Sequence, residues 1–133
     1  MEVVADTTVL VDIWRYRRDP HRLRNLQDKL GQAAILVPWI TQAEFSRGAL
    51  FRAVKPEALA KFYEGFTHIP LQQDAIDLYC RLWGELARKG TVVDYPDLWI
   101  ASAALERRVP LITRNRRHFD PIPGLEVIGY IIL

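Results

Sequence analysis

A chain of 133 residues, 50% hydrophobic and 26% charged, has the size and balance of one globular domain, here taken as residues 1–133. It holds no run approaching the ~18 apolar residues of a membrane span and no signal-peptide pattern, so it is expected to stay in the cytoplasm. A single cysteine excludes an internal disulfide, and a net charge of +2 is too small to declare a nucleic-acid partner.

Taken in order, EVVA (2–5) reads as a short strand that ends at Asp6, and Thr7-Thr8 lead into the apolar helix VLVDIW (9–14). Ligands of open parallel sheets bind at the carboxyl ends of strands, so Asp6 is a site candidate, although it could also cap the helix that follows. Pro20 to Gly31 has leucines at helical spacing and a glycine stop, and Ala33 to Val37 is a second strand. TQAEFSRGALFRAV (41–54) is helical. Thr41 and Glu44 have the spacing of a capping box, which is the structural rival to a functional Glu44. A further helix spans Glu57 to Gly65, and His68 to Pro70 is a brief extended piece. Gln72 to Lys89 is the longest helix, stopped by Gly90, with Cys80 expected as a small core residue.

The stretch VVDYPDLWIASAALERRVPLITRN (92–115) is the most informative. Pro96 suits a first helical turn, and steps of three, four and seven from Asp97 reach Ile100, Ala101 and Ala104. Asp97 is therefore expected on the inward face, and Asp94, one turn earlier, reads as a cap or as a group that supports the metal-holding acids. Pro110 closes the helix. Leu111 to Thr113 is a buried strand leading into the polar run Arg114 to His118, and Gly124 to Leu133 is a last strand.

Alternating strands and helices imply an α/β sheet with helical crossovers, which would carry Asp6, the Glu44 helix and the Asp97 helix toward one edge. Two carboxylates ~4 Å apart repel by about 4 kcal/mol at an effective dielectric of ~20, so three such groups require a cation. Oxygen donors without zinc spacing favour Mg²⁺ or Mn²⁺, ions suited to phosphodiester hydrolysis. His21, His68 and His118 read as surface residues. Thr113 and Asn115 could orient a water, or could form only a strand-end turn. Two basic runs, Arg15 to Arg24 and Arg114, Arg116 and Arg117, read singly as solvated faces; beside an acidic centre they would attract a phosphate backbone. Glycine-rich phosphate loops and a GxSxG elbow are absent. Aspartyl-nucleophile phosphatases need an acid at position 8, which here is Thr.

Four segments in this order, VVADTTVLVD, ITQAEFSRGA, PDLWIASAAL and LITRNRRHF with GLEVIGY, resemble the PIN domains of VapC-type toxins over nearly the whole chain. The resemblance implies a three-layer α/β/α fold around a short, mainly parallel sheet of four to five strands. It implies Mg²⁺- or Mn²⁺-dependent endoribonuclease activity, an antitoxin partner whose tail crosses the active-site groove, and a homodimer. Carried over by position, the acids fall on Asp6, Glu44 and Asp97, and the hydroxyl residue on Thr113. The fourth acidic position is Asn115, which favours a water-mediated role, and Asp94 has no fixed place in the pattern. Arg114, Arg116 and Arg117 are the candidates for RNA phosphates. A PIN-like module that binds RNA or antitoxin without turnover is the alternative, and DNA cleavage by a flap-nuclease-like relative ranks last because the chain is short.

Overall fold

The computed structural model describes all residues from 1 to 133. Five parallel strands, β1 (Glu2–Ala5), β2 (Ala34–Pro38), β3 (Thr67–Ile69), β4 (Leu111–Thr113) and β5 (Val127–Gly129), lie in the order β3-β2-β1-β4-β5. Six α-helices connect them: α1 (Thr7–Arg15), α2 (Arg24–Leu30), α3 (Trp39–Phe51), α4 (Pro56–Tyr63), α5 (Gln73–Arg88) and α6 (Tyr95–Arg107). The three-layer α/β/α arrangement agrees with the sequence reading.

Period-two alternation of the central strands builds the layers. Val4, Leu36 and Leu111 point to one face, where they pack with Leu82 and Leu86 of α5 and Ile100, Ala101 and Ala104 of α6. Val3, Ala5 and Ile112 point to the other, against Val9 of α1 and Leu26 of α2. Because β1 and β4 are covered on both faces, they read as unbroken apolar runs. Helix α3 touches α1 on one side and α6 on the other. Its Phe45 and Ala49 form a third apolar cluster with Leu10, Val37 and Leu59.

The chain runs outward from β1 through β2 to β3 and then jumps back to place β4 on the opposite side of β1. Connections therefore leave β1 and β4 in opposite directions, and a crevice opens at their carboxyl ends. Asp6 and Thr113 stand at that crevice.

Several local expectations shift. The brief piece around His68 is a paired strand, in register with β2 through Val37 and His68. The terminal run forms a strand only at Val127–Gly129, because β4 offers three residues to pair with. Beyond it, Ile131 N–H donates to Asn25 Oδ1 and Leu133 N–H to the Arg22 carbonyl, so the tail lies over the α2 region. Pro20–Leu23 is a 3₁₀ turn ahead of α2. Gly31 and Gly90 do end helices, with φ of 57° and 67° that only glycine adopts freely. Cys80 is exposed, not core: on α5 the buried stripe runs through Leu82 and Leu86, and residue 80 falls off it. No helix is long and apolar enough to cross a membrane.

Candidate active site

Asp6 leaves β1 with its N–H donating to the Ile112 carbonyl of β4, which fixes it at the sheet centre. Although it occupies the N-cap position of α1, its side chain makes no capping bond. Instead Oδ2 accepts from Thr113 Oγ1 at 2.7 Å and Thr8 Oγ1 at 2.9 Å. Thr113 is fully buried, and its hydroxyl also accepts the Asn115 N–H at 2.9 Å. One threonine thus ties the end of β4 to both the first acid and the following loop.

Glu44 is not part of a capping box. Helix α3 begins at Trp39, immediately after β2, and the Thr41 hydroxyl donates across to the Ala5 carbonyl at 3.0 Å. Glu44, one turn further along, accepts from Thr7 Oγ1 at 2.6 Å. The adjacent Thr7 and Thr8 therefore serve two different carboxylates. Asp94 sits at the N-cap of α6 but, like Asp6, makes no side-chain cap bond, which removes the reading of it as a cap. Asp97 lies in the first turn of α6, its side chain 18% exposed, with His118 Nδ1 3.3 Å from Oδ2.

Asp6, Glu44, Asp94, Asp97, Asn115 and His118 line one cleft of about 440 Å³. Its electrostatics are strained. Burial first, then the charge of Asp6, push the Asp97 carboxyl up to about 6; Asp94 and Glu44 add to this, and His118 opposes it.

The donors fit a hard divalent cation. They are carboxylate oxygens with a single imidazole beside them, and Asp6 Oδ1 and Glu44 Oε2 have no protein donor. No buried side-chain oxygen lacks a partner, so these two are open to solvent. The acids stand around the cleft rather than closing on one another, and no three form a finished ligand cage.

The late arginines divide. Arg114, taken from sequence as a phosphate contact, is committed elsewhere: Nε and Nη2 donate to Asp12 at 2.8 and 3.3 Å. Arg116 is 3.8 Å from Asp120, and Arg117 is exposed. Asp12 escaped sequence reasoning altogether. It is 1% exposed in α1 and also accepts from Tyr130 Oη at 2.7 Å. Burial and that bond hold the Tyr130 phenol far above its ordinary value. His118, read as an ordinary surface histidine, is exposed but returns to the cleft on the 3₁₀ turn Arg116–His118. Its place three residues beyond Asn115 was the available signal.

Residues 3–125 match the PIN domain family. The chain is 30% identical over 128 residues to Ribonuclease VapC1 of Methanocaldococcus jannaschii, covering 95% of this chain and 86% of that relative. It is 29% identical over 119 residues to the tRNA(fMet)-specific endonuclease VapC of Salmonella typhimurium, covering 86% and 89%. Among solved structures, a chain of VapBC2 from Rickettsia felis, bound to a DNA fragment from their promoter, aligns with a TM-score of 0.81 at 25% identity. The alignment covers 98% of this chain and 99% of that one.

Proposed function

The chain belongs to the PIN-domain family as a relative of the VapC ribonucleases, and from that premise we propose that it is an endoribonuclease toxin of a toxin–antitoxin pair. It hydrolyses RNA phosphodiester bonds in the cleft between β1, α3 and α6, and a cognate antitoxin holds it in check. The observation that carries this reading is the gathering of four carboxyl groups in one open cleft, with Asp97 driven to about 6 by burial and its neighbours. A purely structural role gives no reason to assemble that repulsion at the end of a sheet.

Divalent-metal dependence is typical of the family. In this chain Asp6, Glu44 and Asp97 would hold Mg²⁺ or Mn²⁺, and Asp94 stands close enough to tune them. The bound cation would neutralise the acids and bring the scissile phosphate to them. The protein's own contribution is orientation. Thr113 and Thr8 occupy one oxygen of Asp6 and leave the other for the cleft, and Thr7 does the same for Glu44. Asn115, neutral where relatives often carry an acid, would position water through its amide rather than bind the ion directly. Residues 1–133 would act as one nuclease unit, paired as a homodimer.

The test is cleavage of RNA with Mg²⁺ or Mn²⁺ against the same reaction in EDTA, for the parent chain and for Asp6→Asn and Asp97→Asn. Cleavage that needs the ion and disappears in both variants is the expected result. RNA binding with no cut product under either ion would refute catalysis and leave a binding module.

A further inference from the structure

The two hydroxyls that hold Asp6 are themselves held, by successive residues of one loop. Thr8 Oγ1 donates to Asp6 Oδ2 and accepts the Arg114 N–H at 3.3 Å. Thr113 Oγ1 donates to the same oxygen and accepts the Asn115 N–H at 2.9 Å. A threonine hydroxyl has a single hydrogen, and an N–H arriving on its oxygen leaves that hydrogen to point away, here at the carboxylate. The backbone of residues 114 and 115 therefore sets the direction of both donors. The Arg114 side chain in turn reaches across to α1 and grips both oxygens of Asp12, one helical turn beyond Thr8 on the same face. We infer that Arg114 is a positioning residue for the active site: its clamp on Asp12 keeps the 114–115 loop seated on Thr8 and Thr113, and so aims Asp6.

Three features favour positioning over a simple fastener. The guanidinium fork is planar and two-pronged, so it fixes the direction of the arginine as well as its distance. Its receptor is rigid, because Asp12 is 1% exposed and Tyr130 Oη donates to its Oδ2 at 2.7 Å, while the Tyr130 N–H meets the Thr113 carbonyl at 3.3 Å and holds the loop from the other side. Finally, the clamped residue is the one whose own N–H lands on Thr8. Asp12 takes no part in the chemistry itself. The inference rests on the reading of Asp6 as a holder of the divalent ion, and adds to it what keeps one Asp6 oxygen engaged and the other free.

Arg114→Lys keeps a cation beside Asp12 but removes the fork. Amide hydrogen exchange in EDTA, followed by NMR, reports on the loop with no ion present. The amides of residues 114 and 115 should exchange roughly 10-fold faster in the variant. A merely global loss of stability would instead speed the core amide of Val4 and leave these locally opening amides unchanged. Mn²⁺ affinity, measured by calorimetry, should fall roughly 10- to 100-fold, the range for a lost partner behind a metal ligand, with KM for RNA within a few-fold. Thr8→Val should also weaken Mn²⁺ binding, and the two changes together should cost less than the product of the separate losses, because they act along one path. Tyr130→Phe gives an independent arm that keeps the ion pair; it should speed exchange of the same two amides up to about 5-fold.

Loop exchange and Mn²⁺ affinity at parent values in Arg114→Lys overturn the inference, as do fully multiplicative losses with Thr8→Val or unchanged loop exchange in Tyr130→Phe. So does a raised KM for RNA with unchanged ion affinity, which makes Arg114 a phosphate contact. Absence of metal-dependent cleavage in the parent chain overturns the enzymatic reading alone, because exchange in EDTA still reports on the clamp.

Discussion

Replacing Asp97 by Asn should make the metal-free protein more stable while abolishing its activity. A carboxyl displaced from 3.8 to about 6 is disfavoured in its ionised form by its surroundings. At about 1.4 kcal/mol per pH unit this amounts to roughly 3 kcal/mol, and residual exposure of the side chain lowers the expectation to about 1–3 kcal/mol. For a folded-state pKa above the unfolded one, the native protein holds a proton the unfolded chain has released. The contribution of Asp97 to stability is therefore greatest below about pH 4, falls between pH 4 and 6, and is level above that. A neutral amide in place of the carboxyl removes this dependence. In EDTA at pH 7.5, Asp97→Asn should melt roughly 3–12 °C above the parent chain, and the gap should close as pH falls from 6 to 4. Saturating Mg²⁺ should narrow the gap from the other side, because an ion bound at ~100 times its Kd stabilises the parent by about 2.7 kcal/mol and the variant by less. The assay is thermal unfolding across pH with and without the ion. A variant no more stable than the parent at pH 7.5 in EDTA, or a gap that ignores pH, would show that Asp97 is not held against its charge.

Thr113→Val removes a donor to Asp6 and an acceptor for the Asn115 N–H; cleavage should fall roughly 10- to 100-fold, and the protein should lose about 1–3 kcal/mol in urea unfolding. Asp12→Ala leaves Arg114 and the Tyr130 hydroxyl without their partner and should destabilise by about 3–5 kcal/mol, whereas Tyr130→Phe, which keeps the Asp12–Arg114 pair, should cost about 1 kcal/mol. His118→Ala takes away the imidazole that opposes the rise of Asp97, so the acid limb of the pH–rate profile should move to higher pH. An unmoved limb would show that the imidazole has no part in the site.

The sheet and most helices were legible because their signals are local. Val3 to Ala5 and Leu111 to Thr113 are apolar on both faces, and Gly31 and Gly90 mark stops through backbone conformations that their neighbours avoid. Asp6, Glu44 and Asp97 could be singled out because each sits where a strand gives way to a helix or where an apolar face begins. What separates a cap from a site was not local. The Thr41 hydroxyl turns to Ala5 rather than to the turn containing Glu44, and nothing within TQAE announces it. Asp12 lay beyond reach for the same reason: its partners are 102 and 118 residues away, so a buried acid in α1 looks like any other until the chain has folded. Arg114 misled because a basic run predicts free cations, while the fold pairs this one, still exposed, with that acid.

Asp12 and Asp97 show why the cleft, and not merely any buried acid, is the place to expect chemistry. Both are acids on apolar helices. Asp12 is almost wholly enclosed, yet a bidentate arginine and a tyrosine hydroxyl satisfy it, and the pair fastens α1 to the ends of β4 and β5. Asp97 is less enclosed but meets three other acids and one exposed histidine, and its carboxyl is driven upward. The chain can therefore neutralise a buried acid when only structure is at stake. At the switch between β1 and β4 it instead keeps the charge deficit open toward solvent, where a cation and a phosphate can enter together.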